Sequence, residues 1–241
     1  MKIAQIGGGN MGRIVAALAR SKGHTMAIAI DSADGSLDAA KLSEKLKGAD
    51  VVIDFSVAGA VRRNVKACML VRVPIVEGTT GWNEERGEIE SVIKENDGAM
   101  VYGANFSVGV NLFYRIADYA SGLFAKFPEY EVFIEEQHHS RKKDAPSGTA
   151  LKLKEVVAGH IAKHISVSST RAGNIPGTHR VGFDGAADQV LLEHTARSRE
   201  GFAAGAILAA EWIVGKKGFY EFTDIMDDLL SNAQSCHKFY K

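Results

Sequence analysis

The sequence predicts an α/β fold in two parts: an N-terminal domain built on a parallel sheet, and a second α+β domain with a mixed sheet. Three observations predict it. Over the first hundred residues, short continuously apolar runs alternate with helix-period stretches, the pattern of parallel strands covered on both faces. The first run breaks at once into Gly7-Gly8-Gly9-Asn10-Met11-Gly12. After Asn105 the alternation stops, and longer helix and hairpin patterns replace it.

The elements follow in order. Ile3-Ala4-Gln5-Ile6 reads as a strand stopped by Gly7. Met11, Ile14, Val15, Leu18 and Ala19 recur at helical spacing. Strands are expected at Met26 to Ile30, Val51 to Ile53, Pro74 to Val76 and Ala99 to Tyr102, with helices near 57–70 and 83–96. Beyond Asn105, Val110, Phe113, Ile116, Ala120 and Leu123 define a helix face. Residues 130–137 alternate as a strand, and 148–164 read as a helix. Residues 179–197 read as a hairpin turning at Asp184-Gly185-Ala186-Ala187-Asp188. Phe202 to Val214 form a small-residue helix, after which the chain returns to the first domain. The predicted division is 1–107 plus 202–241, and 108–201.

Composition excludes several function classes. The chain of 241 residues carries 29 Lys+Arg against 29 Asp+Glu, so it lacks the basic surface that phosphate backbones require, and no nucleic-acid partner is expected. No run approaches the apolar length of a membrane span. Met1 to Ile6 meets glycine too soon to be a signal peptide. Two cysteines, Cys68 and Cys236, imply no disulfide framework and suit a reducing cytoplasm. Cys68 falls in an apolar helical stretch and Cys236 in the tail, so neither suits the exposed nucleophile of aldehyde-type dehydrogenases.

Gly7-x-Gly9-x-x-Gly12 follows a strand and opens a helix, the context in which such glycines hold a dinucleotide in a Rossmann-type fold. Gly7 makes the turn, Gly9 admits the pyrophosphate, and Gly12 lets helix and strand approach; N–H groups of Asn10 and Met11 point to the phosphates. Asp31 ends the second strand roughly 20 residues later, where a carboxylate accepts ribose hydroxyls and repels a 2′-phosphate. Ser32 and Ala33 offer no arginine to hold that phosphate, so NADH is preferred, with NADPH possible. Ligands in such sheets lie at the carboxyl ends of the strands. Those ends read Phe55-Ser56, Gly78-Thr79-Thr80 and Ala104-Asn105-Phe106-Ser107. Turn chemistry alone also explains such residues.

The most informative stretch runs from Glu135 to Ala150, Glu-Glu-Gln-His-His-Ser-Arg-Lys-Lys-Asp-Ala-Pro-Ser-Gly-Thr-Ala. It joins a strand to a helix, with Ser147 or Asp144 as candidate cap. The N–H groups of Gly148 and Thr149 then form a carboxylate site at a positive helix end. His138, His139 and Lys142 add charge and proton donors. The set suits a small dicarboxylate that is protonated as it is reduced. A basic surface loop, neutralised by Glu135 and Glu136, is the plain alternative. No metal site is expected, because adjacent histidines point apart on a strand and no cysteine is near.

This stretch resembles the signature of the 4-hydroxy-tetrahydrodipicolinate reductase (dihydrodipicolinate reductase) family of lysine and diaminopimelate synthesis. The resemblance continues in Gly78-Thr79-Thr80-Gly81, in Ala104 to Asn111, in Arg171 to His179, in Glu193 to Arg199 and in Phe202 to Ala206. It implies that His138 exchanges a proton with substrate, that Lys142 is a second proton donor, and that His139, Gly148 and Thr149 hold a carboxylate. It implies cofactor contacts from the glycine loop to Met11, from Asp31, from Gly78 to Thr80 and from Ala104 to Ser107. It further implies a cytoplasmic homotetramer joined through the sheets of a substrate-binding and oligomerisation domain. The implied reaction passes hydride from a nicotinamide to a cyclic dicarboxylate with loss of water. Asn10 stands where many members carry arginine, and the segment between Asp31 and Val51 is short. A non-catalytic NAD(H)-sensing protein is the alternative; it needs Gly7, Gly9, Gly12 and Asp31 but has no use for the stretch from His138 to Thr149.

Overall fold

The apolar runs of the first hundred residues become strands joined by helices: β1 (Lys2–Ile6), α1 (Asn10–Ser21), β2 (Thr25–Ile30), α2 (Ala39–Leu46), β3 (Val51–Asp54), α3 (Val61–Leu70), β4 (Ile75–Glu77), α4 (Arg86–Glu95) and β5 (Ala99–Tyr102). The chain continues as α5 (Val108–Phe124), β6 (Glu131–His138), α6 (Gly148–Ala158), β7 (Ser166–Arg171), β8 (Thr178–Asp184) and β9 (Gln189–Thr195). It ends in α7 (Glu200–Ile213), β10 (Gly218–Glu221) and α8 (Phe222–Ser231). This computed structural model describes residues 1–231, so Cys236 lies outside the described residues. Two units result, Met1–Phe106 with the chain from Phe202 on, and Ser107–Gly201.

The first unit is a parallel sheet in the order β10-β5-β4-β3-β1-β2. Every residue of β3, β4 and β5 is buried, as continuous apolar runs require of strands covered on both faces. Val52, Val65, Cys68, Ile75, Ile89 and Met100 sit in one core. Two elements carry no clear pattern in the sequence. In α2 only Leu42, Ser43 and Leu46 are buried, a stripe too short to register as periodic. The edge strand β10 is half-buried throughout, so it shows neither a continuous nor an alternating signal.

The second unit is a four-stranded mixed sheet in the order β7-β6-β8-β9. β6 runs parallel to β7 and antiparallel to β8, and β8 and β9 form the expected hairpin, closed by Gly185 N–H on Asp188 O at 2.9 Å. Val132, Ile134, Val181 and Phe183 face α5 and α6 residues such as Phe113, Ala117, Ala150 and Leu153. Ser107 caps α5, its hydroxyl accepting from Val110 N–H at 3.3 Å, which puts it in this unit. The predicted helix over 148–164 ends instead at Ala158. Beyond it, Ile161 and Ile165 prolong the apolar spacing but reach the core from irregular chain. β7 has no counterpart among the predicted strands, because Ser-Val-Ser-Ser-Thr-Arg offers no apolar face.

Phe183 is fully buried and stacks on Phe124 with ring centroids 4.2 Å apart. Phe183→Ala is expected to cost about 4 kcal/mol, the usual range for emptying a core aromatic site. A fall in the urea midpoint with unchanged slope checks this.

Candidate active site

In the first unit the predicted dinucleotide residues line up along one edge of the sheet, since β5, β4, β3, β1 and β2 are consecutive neighbours with parallel polarity. Gly7 follows β1, Phe55 and Ser56 follow β3, Gly78, Thr79 and Thr80 follow β4, Ala104, Asn105 and Phe106 follow β5, and Asp31 follows β2. Gly7 adopts φ +96°, and a Cβ there would lie 2.3 Å from the carbonyl oxygen of Phe55. A Cβ on Gly12 would lie 2.0 Å from Gly7 O, so this turn admits no side chain. α1 starts from Gly9 with no side-chain cap, which leaves the N–H groups of Asn10 and Met11 at an open helix start. The residues present therefore fit a pyrophosphate. Phe106 is buried between Phe55 and Phe222, so only its backbone remains to meet a ligand.

Asp31 is exposed; its Oδ1 accepts from Ala33 N–H at 2.8 Å. The loop beyond it holds more charge than Ser32 and Ala33 suggest. Lys45 pairs with Asp34, and that bond holds the Asp34 carboxyl below its ordinary range. Arg63, from α3, donates to Gly35 O at 2.6 Å, to Leu37 O at 3.3 Å and to Asn64 Oδ1.

Beneath the strand ends lies a pair that the apolar runs conceal. Asp54 and Glu77 occupy facing positions in β3 and β4, and both are fully buried. Asp54 Oδ2 accepts from Asn64 Nδ2 at 2.7 Å. Glu77 Oε1 accepts from Thr79 N–H at 2.7 Å, and Thr79 Oγ1 accepts from Ser56 N–H at 3.0 Å. Burial raises both acids, and the charge of Asp54 pushes Glu77 further up. Two buried acids of raised proton affinity thus stand under two of the strand-end loops.

In the second unit, strand alternation puts Glu136 and His138 on one buried face. Register supplies their neighbours: His179 of β8 faces Glu136, and Arg171 of β7 faces His138. Glu136 Oε2 bonds His138 Nδ1, while Oε1 accepts from Arg171 Nη2 at 2.6 Å and from Ser147 N–H at 3.3 Å. Burial pushes the Glu136 carboxyl up, but Arg171, Ser169 and His138 outweigh it and hold the group at about 2. Burial lowers His138 despite Glu136, and lowers His179 to about 3. Ser147 caps α6, its hydroxyl accepting from Ala150 N–H at 3.2 Å and bonding His179 Nε2 at 3.1 Å. Gly148 is exposed at that helix start, and Thr149 and His139 are half-buried. Lys142 Nζ lies 2.9 Å from Asp144 Oδ1. The structure thus joins His138, Arg171 and the start of α6, through Ser147 N–H, at one carboxylate, with Lys142 held by Asp144 on the intervening loop. Glu136, Arg171 and His179 were not among the predicted site residues; only the register of three strands reveals them.

Glu136, His138 and His179 bring possible metal-ligand atoms within 4.8 Å of one another. Both oxygens of Glu136 are already bonded, one to a guanidinium that opposes a second cation. The trio reads as a hydrogen-bonded network. The sequence argument against a metal considered His138 and His139 alone and did not anticipate His179.

Residues 1–106 match the family model "Dihydrodipicolinate reductase, N-terminus", and residues 109–226 match "Dihydrodipicolinate reductase, C-terminus". The chain belongs to the dihydrodipicolinate reductase family. It is 34% identical over 244 residues to a 4-hydroxy-tetrahydrodipicolinate reductase of Christiangramia forsetii, covering 96% of this chain and 100% of that one. It is 39% identical over 195 residues to the enzyme of that name from Methanosarcina mazei, covering 74% and 73%. A dipicolinate-bound dihydrodipicolinate reductase from Paenisporosarcina sp. TG-14 shares the fold at a TM-score of 0.76 and 22% identity, covering 93% of this chain and 99% of that one. As a member of the dihydrodipicolinate reductase family, the chain has the parallel and mixed sheets expected of it. No helix among its described residues is long and apolar enough to cross a membrane.

A carboxyl raised by folding keeps its proton longer in the folded state, so stability falls as pH rises from the unfolded value toward the folded one. Glu77→Gln removes that titration and retains the acceptor for Thr79 N–H. The variant is expected to gain thermal stability over the parent progressively as pH rises above the range of an unfolded carboxyl, measured by calorimetry. A parallel pair of Tm curves across that rise would show the pair to be unperturbed.

Proposed function

We propose that this chain reduces 4-hydroxy-tetrahydrodipicolinate to tetrahydrodipicolinate with a nicotinamide dinucleotide, with loss of water. The observation that carries the reading is the cluster of His138, His139, Lys142 and the Gly148-Thr149 helix start in a chain that also has an open glycine turn at its first helix. Such donors match a small dianion, and a reduction that adds hydride to an electron-poor ring requires a proton as well. The dinucleotide supplies the hydride. Gly7, Gly9, Asn10, Met11 and Gly12 hold its pyrophosphate, Asp31 its ribose, and the strand-end residues Phe55, Ser56, Gly78 to Thr80 and Ala104 to Ser107 the rest. His139, Gly148 and Thr149 hold the carboxylates. Lys142 and His138 exchange the proton, Lys142 leaving Asp144 for the incoming anion. Metabolite chemistry of this kind fits a cytoplasmic enzyme, and a homotetramer joined through the mixed sheets follows from the family resemblance.

The test is oxidation of NADH with freshly prepared cyclic dicarboxylate, followed at the nicotinamide absorbance. Tight NADH binding without turnover would favour the sensing alternative. Lys142→Ala is expected to lower kcat by about 100-fold or more while leaving the Kd for NADH unchanged. Near-normal turnover in that variant defeats the assignment. Asp31 also predicts a higher kcat/KM for NADH than for NADPH, and Asp31→Ala is expected to narrow the ratio by raising the KM for NADH. Steady-state kinetics with both cofactors measures this, and a parent that favours NADPH removes the role given to Asp31.

A further inference from the structure

Glu136 ties together three elements of the second unit. Its carboxylate is bonded to His138 Nδ1, to Arg171 Nη2 and to Ser147 N–H. Arg171 also donates to Asp144 O at 2.5 Å, and Asp144 in turn holds Lys142. Ala172 N–H, next to Arg171, donates to His138 O at 2.9 Å. The imidazole is thus fixed at its backbone and at one ring nitrogen.

An ionised carboxylate accepts hydrogen bonds and donates none, so the nitrogen bonded to it must carry the hydrogen. His138 in its neutral form is therefore protonated at Nδ1 and bare at Nε2. The chain also sets a glycine beside that second nitrogen. Gly177 stands there, where a Cβ would come within 3.1 Å of His138 Nε2.

Resting on the functional reading above, we infer that Glu136 is a positioning residue: held by Arg171, it fixes His138 as the Nδ1–H tautomer and presents Nε2 to the substrate as the atom that takes up and returns the proton. The proton arriving at Nε2 makes an imidazolium whose charge lies against the Glu136 carboxylate, as in the acid-histidine pairs of hydrolases. The charged and titratable groups around His138 are Glu136 on its own strand, Arg171 on β7, His179 on β8 and Lys142 on the following loop. Of these only Glu136 is negative, so it alone supports the imidazolium.

Two measurements test the inference. Nitrogen-15 NMR of the intact protein, with His138 assigned by comparison with His138→Gln, is expected to show neutral His138 protonated at Nδ1. An Nε2–H tautomer overturns the inference, whether or not the enzyme turns over the dicarboxylate. Steady-state kinetics of Glu136→Gln is expected to show kcat reduced about tenfold or more with the KM for NADH unchanged. Its pH profile is expected to lose activity at lower pH than the parent's, the limb moving by about one unit because the imidazolium has lost its counter-charge. Glu136→Asp, which restores the charge, is expected to recover the position of that limb. A folded Glu136→Gln with parental kcat and an unmoved profile overturns the inference. If Glu136→Gln does not fold, the tautomer and the Glu136→Asp profile decide it. A parent without turnover defeats the functional reading and leaves the tautomer measurement standing on its own.

Discussion

A buried carboxylate must find compensation for lost water, and in this chain the partner it finds differs between the two units. Glu136 is almost fully buried, yet ionised, because a guanidinium, a backbone N–H and an imidazole surround it. Those bonds reach β7, the start of α6 and the last residue of β6. Remove the charge at their centre and three elements lose a shared anchor. The placement of His138 and the tie from Arg171 to the loop of Lys142 both descend from this one group.

The first unit solves the same problem differently. Asp54 and Glu77 are as deeply buried as Glu136, but among the described residues no cation is bonded to them; Arg63 is bonded to Asn64 and to the carbonyls of Gly35 and Leu37. Their bonds come from neutral donors, Asn64 Nδ2 and Thr79 N–H, so burial raises their affinity for a proton. The consequence is electrostatic economy at the strand ends. A site proposed for a negatively charged dinucleotide gains little from two further negative charges beneath it, and acids of raised proton affinity still hold Thr79 and, through it, Ser56.

The parts of the fold legible in the sequence were those where one physical signal dominates. Val51-Val52-Ile53 and Ile75-Val76 are buried on both faces, so their apolar runs could not be hidden. Gly7 and Gly12 are forced by backbone approach, and a spacing in the chain reports that directly. Ser166 to Arg171 gave no such signal: the strand is held by its ladder to β6, and five of its six residues are polar. The same limit governed the candidate site. His138, Lys142, Gly148 and Thr149 are neighbours in the chain and could be read as a group. Arg171 and His179 join them only because β7 and β8 flank β6 in a particular register, a long-range pairing that local spacing does not encode. Glu136 offers no such signal, because the cation that fixes it, Arg171, lies on another strand.

Asp31 caps a turn and, on the proposed reading, also meets a ribose. The sequence assigned its carboxylate to a ribose; the structure adds that Oδ1 caps the short turn at Ser32–Asp34 by accepting from Ala33 N–H. The two roles do not compete, because a carboxylate offers about four lone-pair sites and the cap takes one. The cap orients the group, and the unspent acceptors are then directed by a backbone whose next cations are engaged, Lys45 with Asp34 and Arg63 with loop carbonyls. A 2′-phosphate arriving there would meet a fixed negative charge, and to gain a positive partner it would have to displace one of those bonds. Under the proposed preference for NADH, discrimination against the extra phosphate would rest on where the nearby cations are already committed as much as on Asp31 itself.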